Sequence, residues 1–117
     1  MLFRSLASID GQNFLITSLI SEIASSYYEL TALDNMLEIV QKNITIQRDA
    51  LEIVKNLKDA AKVTQLAVNR FEAQLLQTQN LQYEIKQQIT EKENHIRFLT
   101  GKFNGSIDRN SSGFFSI

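Results

Sequence analysis

The sequence contains no cysteine and no proline among its 117 residues. Without cysteine the chain can form neither disulfides nor thiolate metal sites. Glycine occurs at only four positions, which are Gly11, Gly101, Gly105 and Gly113. No strong backbone breaker therefore lies between Gly11 and Gly101, and this stretch favours very long helices over a compact fold with many turns.

An excess of one charge is also missing, because 12 basic and 13 acidic residues give a net charge of −1. No basic stripe is present that could neutralise a row of phosphates, so we expect no nucleic acid partner. The most apolar stretch, residues 14–20, is far shorter than the roughly 20 residues needed to cross a bilayer. The first residues also lack the apolar core of a signal peptide, so by itself the chain is expected to be soluble.

Two segments repeat apolar residues in alternating steps of three and four, the heptad spacing that keeps one stripe of a helix facing a partner. The first seam consists of Leu30, Leu33, Leu37, Val40, Ile44, Gln47, Leu51 and Val54. The second seam consists of Val68, Phe71, Leu75, Thr78, Gln82, Ile85, Ile89, Lys92, Ile96 and Leu99. The first segment carries a further line of residues seven apart: Ala32, Ile39, Ile46, Ile53 and Ala60. Its apolar face is therefore wide, and one partner helix would cover only part of it.

The register of the first seam does not continue through residues 58–64, where Thr64 offers a hydroxyl that can cap a new helix. The pattern predicts an all-α fold, a long antiparallel, coiled-coil-like helical hairpin. We expect helices at about 3–60 and 64–100, joined by a turn at about 60–63, because so short a connection forces the helices to be antiparallel. The alternative is one unbroken helix, which the Ala60-Ala61 pair would favour.

Beyond the second seam, Gly101 has the position of a glycine that ends a helix, with Arg97 in the last turn. We therefore expect an extended tail over residues 102–117, packed through its apolar residues Phe103, Ile107, Phe114 and Phe115. The first helix would then overhang the second by roughly 30 Å, at the helical rise per residue. The overhanging residues Leu15, Ile16, Leu19, Ile20 and Ile23 need cover, so we expect self-association.

Four runs of sequence resemble the TolC-like outer-membrane efflux proteins. Residues 22–30 (EIASSYYEL) are similar to the family run E-V-A-x-x-Y-Y-x-L. Residues 58–68 (KDAAKVTQLAV) and 71–75 (FEAQL) resemble the family's turn and the start of its second helix. Residues 96–103 (IRFLTGKF) resemble the ending L-x-x-L-L-G. These runs, in this order and spacing, cover nearly the whole chain. Their sequence is most similar to the metal-efflux (CusC-like) and Bacteroidetes lipoprotein members of the family.

The resemblance implies a fragment of a larger protein. Residues 1–101 would be one hairpin of the family's periplasmic α-barrel, and residues 102–117 would lead toward the next repeat. In the family three subunits form a channel of the outer membrane and periplasm, and hairpin tips meet a periplasmic adaptor that connects to an inner-membrane pump. The adaptor-facing tip would be Ala60, Ala61, Lys62, Val63, Thr64 and Gln65. The family's turn glycine is Ala61 here, which predicts either strain at a left-handed residue or a turn that is shifted or looser.

No residue pattern indicates an enzyme, a cofactor or a metal site. His95 is the only histidine, and one histidine without cysteine makes a poor metal site, so a surface position is expected. The second helix is rich in amides, which either line a polar lumen or form an ordinary solvated face: Gln74, Gln77, Gln79, Asn80, Gln82, Gln87 and Gln88. The expected function is a passive wall segment and docking tip of an efflux channel. The alternative is a generic coiled-coil interaction or scaffold module.

Overall fold

The computed structural model describes the backbone of residues 2–115 and the side chains of residues 8–105. It contains two helices, α1 (Leu2–Asp59) and α2 (Gln65–Phe115), with no strand in the described backbone. A turn at residues 60–64 joins them. The predicted all-α hairpin is confirmed. Within residues 2–115, neither helix holds a stretch apolar and long enough for a membrane span.

The chain divides into two compact units. The turn unit, Ala32–Thr90, contains the end of α1, the turn and the beginning of α2. The terminal unit combines Met1–Thr31 with Glu91–Ile117, so it contains the beginning of α1 and the end of α2. Each unit therefore pairs one segment of α1 with one segment of α2.

The core of the turn unit follows the heptad seams of the two helices. Val40 and Ile44 of α1 and Ile85 of α2 form a buried cluster, in which Ile85 is only 2% exposed. Partly buried residues that pack against this cluster also belong to the seams: Leu33, Leu37, Leu75 and Ile89. Burying one such aliphatic side chain contributes about 1.5–3 kcal/mol. These seam residues are thus confirmed as ones that join the two helices.

Three seam positions of the turn unit are polar and half-buried: Gln47, Thr78 and Gln82. The Thr78 hydroxyl donates to the carbonyl oxygen of Gln74 at 3.1 Å. The Gln47 Oε1 atom, in contrast, is buried without a hydrogen-bond partner among the described residues. An unpaired buried acceptor costs about 1–3 kcal/mol, so Gln47 is a weak point in the otherwise apolar seam of α1.

Near the turn, the seam of α2 departs from the predicted positions. Phe71 was expected to lie in the seam but is exposed, whereas the next residue, Glu72, is half-buried. The Glu72 carboxylate lies 3.8 Å from the ammonium of Lys55 on α1. The side of α2 that faces α1 is therefore displaced by one residue here, and the prediction for Phe71 is wrong.

The terminal unit has buried residues of its own. Leu19 of α1 and Ile96 and Leu99 of α2 are each at most 5% exposed. Ser26 is also buried and continues the seam of α1 toward its beginning, at the spacing that leads to Leu30. Two cross-helix pairs lie at the edge of this seam, Lys92 with Glu29 and His95 with Glu22. Such exposed pairs contribute little to stability, so the apolar seam holds this unit together.

The expected extended tail at residues 102–117 is wrong for the part that the structure describes. Helix α2 passes through Gly101 and continues to Phe115, and residues 116–117 lie outside the described backbone. No described glycine has a positive φ, so Gly101 does not take the left-handed conformation of a helix end. Glycine in a helix interior costs only about 1 kcal/mol relative to alanine, which neighbouring helical residues can offset. The side chains of Ile107, Phe114 and Phe115 lie outside the described residues.

The expected overhang of α1 is also wrong, because the helices are 58 and 51 residues long and nearly equal. In the terminal unit, the second half of the pair is α2 itself rather than an extended tail. Leu19 is buried and Ile16 and Ile23 are half-buried, whereas Leu15 and Ile20 remain exposed. Part of the apolar surface at the beginning of α1 is therefore covered within the same chain.

Replacing Gly101 with alanine tests the continuous helix. An added Cβ meets no atom within 4 Å, so the substitution should raise the free energy of unfolding by about 0.5–1 kcal/mol. Gly11→Ala should raise the free energy of unfolding by a similar amount, because Gly11 is also helical and has open space around it. Urea unfolding followed by circular dichroism at fixed protein concentration measures both. A loss of stability at residue 101 alone would show that Gly101 is left-handed and ends the helix.

Replacing Gln47 with leucine tests the weak point of the seam. The substitution removes the unpaired acceptor and adds apolar contact, so we expect the free energy of unfolding to rise by about 1–2 kcal/mol. Gln41→Leu is the control, because Gln41 lies exposed on the same helix and its change should stay within about 0.5 kcal/mol. Equal effects of the two substitutions would contradict the assignment.

Candidate partner-binding surfaces at the turn and on α1

Helix α1 ends in a Schellman motif, which reverses the chain within a few residues. The Lys62 N–H donates to the Leu57 carbonyl at 2.8 Å, and the Ala61 N–H donates to the Lys58 carbonyl, also at 2.8 Å. These two bonds satisfy carbonyls that the end of a helix leaves without partners. The motif requires a left-handed residue at Ala61, and its φ is 61°. The turn is thus a closed hydrogen-bonded structure rather than a loose connection.

Ala61 takes the conformation that the motif imposes although it is not glycine. Of the two outcomes expected from the missing glycine, the strained left-handed residue is the one observed, and the turn is neither shifted nor loose. An alanine in this conformation costs roughly 1 kcal/mol, because its Cβ approaches the following carbonyl. The seams on both helices fix where the chain reverses, and this places Ala61 at the left-handed position of the motif.

Helix α2 begins with Thr64 as its N-cap, as predicted. The Ala67 N–H donates to the Thr64 hydroxyl at 3.4 Å and to the Thr64 carbonyl at 3.2 Å. Gln65 then connects the two helices, since its side chain donates to Asn69 at 2.9 Å and accepts from the ammonium of Lys58. Both ends of the turn are therefore capped, and the backbone between them is held in one arrangement.

The predicted tip residues lie together on one exposed surface. Ala60, Ala61, Lys62, Thr64 and Gln65 are exposed, and Val63 is half-buried. Leu66, which lies outside the predicted set, is 59% exposed next to them. It precedes the buried Val68 by two residues, a rotation of about 200° around the helix, so its outward position could have been read from the seam. We call residues 60–66 the turn surface.

A second exposed surface follows α1 through the turn unit. The isoleucine stripe consists of Ala32, Ile39, Ile46, Ile53 and Ala60, all of which are exposed. Ile46 is 65% exposed, and Ile39 and Ile53 are each 59% exposed. Each isoleucine lies two residues after a seam residue and therefore points away from α2. The expectation that one partner helix leaves part of the apolar face uncovered is confirmed.

The amides of α2 divide into two groups. Gln79 and Gln82 are half-buried at or beside the seam. The remaining amides lie on the exposed side of the helix: Gln74, Gln77, Asn80, Gln87 and Gln88. These amides are polar and accessible, and exposed charged residues share their side of the helix, namely Arg70, Glu84 and Glu91. Such a face suits a lumen lining as well as an ordinary solvated surface.

His95 lies at the surface of the terminal unit, with 44% of its side chain exposed. Its Nε2 atom is 3.5 Å from a carboxylate oxygen of Glu22 on α1. Among the described residues, no three histidine, cysteine or acidic side chains come together in a way that could hold a metal ion. The contact is an exposed cross-helix pair.

A heptad-paired helical hairpin with capped ends and an uncovered apolar stripe has the form of a structural element that associates with other helices. A family model described as outer membrane efflux protein matches residues 3–102, which include both helices and the turn. The chain therefore belongs to the outer membrane efflux protein family, a family of channel and transport proteins. Comparisons with curated proteins and with solved structures give no significant match.

Replacing Ala61 with glycine tests the left-handed turn residue. Glycine adopts this conformation without a steric penalty, so the free energy of unfolding should rise by about 1 kcal/mol. Ala60→Gly is the matched control, because φ of Ala60 is not positive and glycine there should lower stability. Chemical denaturation of the two variants beside the parent chain measures both changes. A destabilising effect of glycine at residue 61 would refute the Schellman geometry.

Proposed function

We propose that this chain forms part of the periplasmic α-barrel wall of an outer-membrane efflux channel, with the turn surface docking a periplasmic adaptor. In this role it is a passive conduit segment of a tripartite pump and performs no catalysis. The observation that carries the proposal is the family match over residues 3–102 together with two separate apolar surfaces on α1. The parent protein would reside in the outer membrane and periplasm.

The two surfaces of α1 fit the requirements of a barrel wall. A helix inside such a wall needs a neighbour on each of two sides, while its other faces meet water. The seam of α1 is covered by α2, and the isoleucine stripe is left for a helix of another hairpin. Self-association through this stripe, as a trimer in the complete channel, would give every hairpin its second neighbour.

The polar faces fit a water-filled lumen. The exposed amides of α2 carry no charge, and they can both donate and accept hydrogen bonds. A lumen wall of this kind would hydrate solutes of different charge without binding any of them tightly. We assign Gln74, Gln77, Asn80, Gln87 and Gln88 to that wall.

The turn surface fits a docking tip because its backbone is fixed before binding. The Schellman motif at Ala61 and the cap at Thr64 hold it, so ordering it on a partner costs little entropy. Its exposed chemistry combines the ammonium of Lys62 with the apolar side chain of Leu66. The adaptor would in turn connect the channel to an inner-membrane pump, which the hairpin itself contacts only indirectly.

Binding to the periplasmic adaptor of the same pump tests the docking tip. Lys62→Asp and Leu66→Asp should each weaken the affinity about tenfold or more, since one reverses a charge and the other puts a charge on the apolar contact. Lys86→Asp is the control, because Lys86 is also exposed on α2 but lies far from the turn in sequence. Surface plasmon resonance gives the affinities, and circular dichroism checks that the variants stay helical. Unchanged affinity for both turn variants would reject the tip.

A further inference from the structure

The seam of the turn unit is interrupted at one level by polar side chains from both helices. Ile44 of α1 and Ile85 of α2 lie in one buried cluster, and the two helices run in opposite directions. One step of three residues from this pair toward the turn leads to Gln47 on α1 and to Gln82 on α2. Thr78 is one helical turn further along α2, and all three polar side chains are half-buried. We call Gln47, Thr78 and Gln82 the polar layer.

Buried hydrophobic residues lie in separate groups on the two sides of the polar layer. The cluster around Ile85 lies on the side away from the turn. Residues 48–77, all of which the structure describes, lie on the other side, and we call them the turn segment. Their buried hydrophobic residues are Leu51 and Val68, and neither belongs to the cluster. Leu75 is the one hydrophobic residue of the turn segment that packs against the cluster, so the apolar core is nearly divided at this level.

The polar layer couples its two sides weakly. The Gln47 Oε1 atom is buried without a hydrogen-bond partner among the described residues. The Thr78 hydroxyl donates within its own helix, to the carbonyl oxygen of Gln74 at 3.1 Å, and therefore makes no bond to α1 as a donor. Polar side chains also bury less apolar area than the aliphatic pairs elsewhere in the seam, so little free energy resists separation at this level.

Other interactions of the turn segment do not make up for this weak coupling. The ion pair of Lys55 with Glu72 joins the two helices, but its side chains are 53% and 45% exposed, so it contributes little. Phe71 is exposed instead of packing in the seam. Ala61 is held in the left-handed conformation, which is unfavourable for alanine. The turn segment is therefore the less stable side of the polar layer.

We propose that the turn segment opens as a separate cooperative unit, with the polar layer as its boundary, while the cluster around Ile85 stays paired. Folded proteins open locally in contiguous units of different stability, and a gap in the core is a natural boundary between two units. Each opening releases the Schellman motif at Ala61 and the cap at Thr64. The turn surface therefore alternates between a fixed and an open form while the rest of the hairpin stays folded. The inference concerns the hairpin alone and holds whether or not the turn surface binds an adaptor.

Hydrogen exchange of the 117-residue chain, followed by NMR at single amides, tests the separate opening. The amides of residues 51–57 and 68–75 should exchange about tenfold or more faster than those of the cluster. Low concentrations of urea should accelerate these turn-segment amides together, with a smaller slope than for the cluster, because local opening exposes less surface than complete unfolding. Equal rates on both sides, or a gradual change of rate along the helices without a step at the polar layer, would overturn the proposal.

Replacing the polar layer by apolar side chains tests its role as the boundary. In the double variant Gln47→Leu and Gln82→Leu, apolar contacts continue from the cluster into the turn segment. The two sides should then open together, and the ratio of their exchange rates should fall from about tenfold to about one. This ratio is decisive, because a higher overall stability slows the amides on both sides alike. A ratio that persists in the double variant would reject the polar layer as the boundary.

Matched variants separate this effect from a general gain in hydrophobicity. Gln41→Leu combined with Gln88→Leu is the control, since both glutamines are exposed on the same two helices and the ratio should persist. The nearly isosteric Thr78→Val changes the polar layer least and should lower the ratio in part. A control pair that lowers the ratio as much as Gln47→Leu with Gln82→Leu would also contradict the proposal. None of these results bears on the adaptor-binding test of Lys62 and Leu66.

Discussion

The rest of the structure depends on the burial of one heptad-spaced stripe on each helix. In a hairpin of two helices the core is a single layer of side chains, so each buried residue provides a large share of the stability. Val40, Ile44 and Ile85 form that layer in the turn unit, and Leu19, Ile96 and Leu99 are its counterparts in the terminal unit. Because this layer occupies only one side of α1, the second apolar stripe on the same helix remains available to other chains. The same constraint therefore produces both the hairpin and the exposed apolar stripe.

The helices and their seams could be predicted from the sequence because the heptad spacing is repeated many times in each. The end of α2 could not be predicted, because the sequence around Gly101 is compatible both with a helix that ends there and with one that continues. The residues after it have weak helix propensities, and α2 nevertheless continues through them to Phe115. Phe71 was misplaced for a related reason, since a one-residue displacement of the contact side leaves no trace in the spacing.

The turn surface was predictable in position but not in conformation. The loss of register and the threonine at residue 64 locate the turn, since both are local signals. The left-handed Ala61 is not a local preference, because alanine avoids that conformation on its own. It follows from two helices whose seams fix where the chain must reverse, and from carbonyls at residues 57 and 58 that need donors. A strained residue therefore shows that long-range packing determines this turn.

The isoleucine stripe also bears on how the chain is made. Helix α1 is synthesised first and emerges with two apolar stripes on different sides, and only one of them has a partner later in the same chain. At about 5–20 residues per second, α2 follows several seconds later, and until then the nascent helix exposes both stripes. Even after the hairpin closes, the isoleucine stripe stays exposed. If another chain covers this stripe, as proposed for the barrel, the growing protein exposes an apolar surface for as long as assembly takes, and its yield in a cell should depend on how quickly that chain is found.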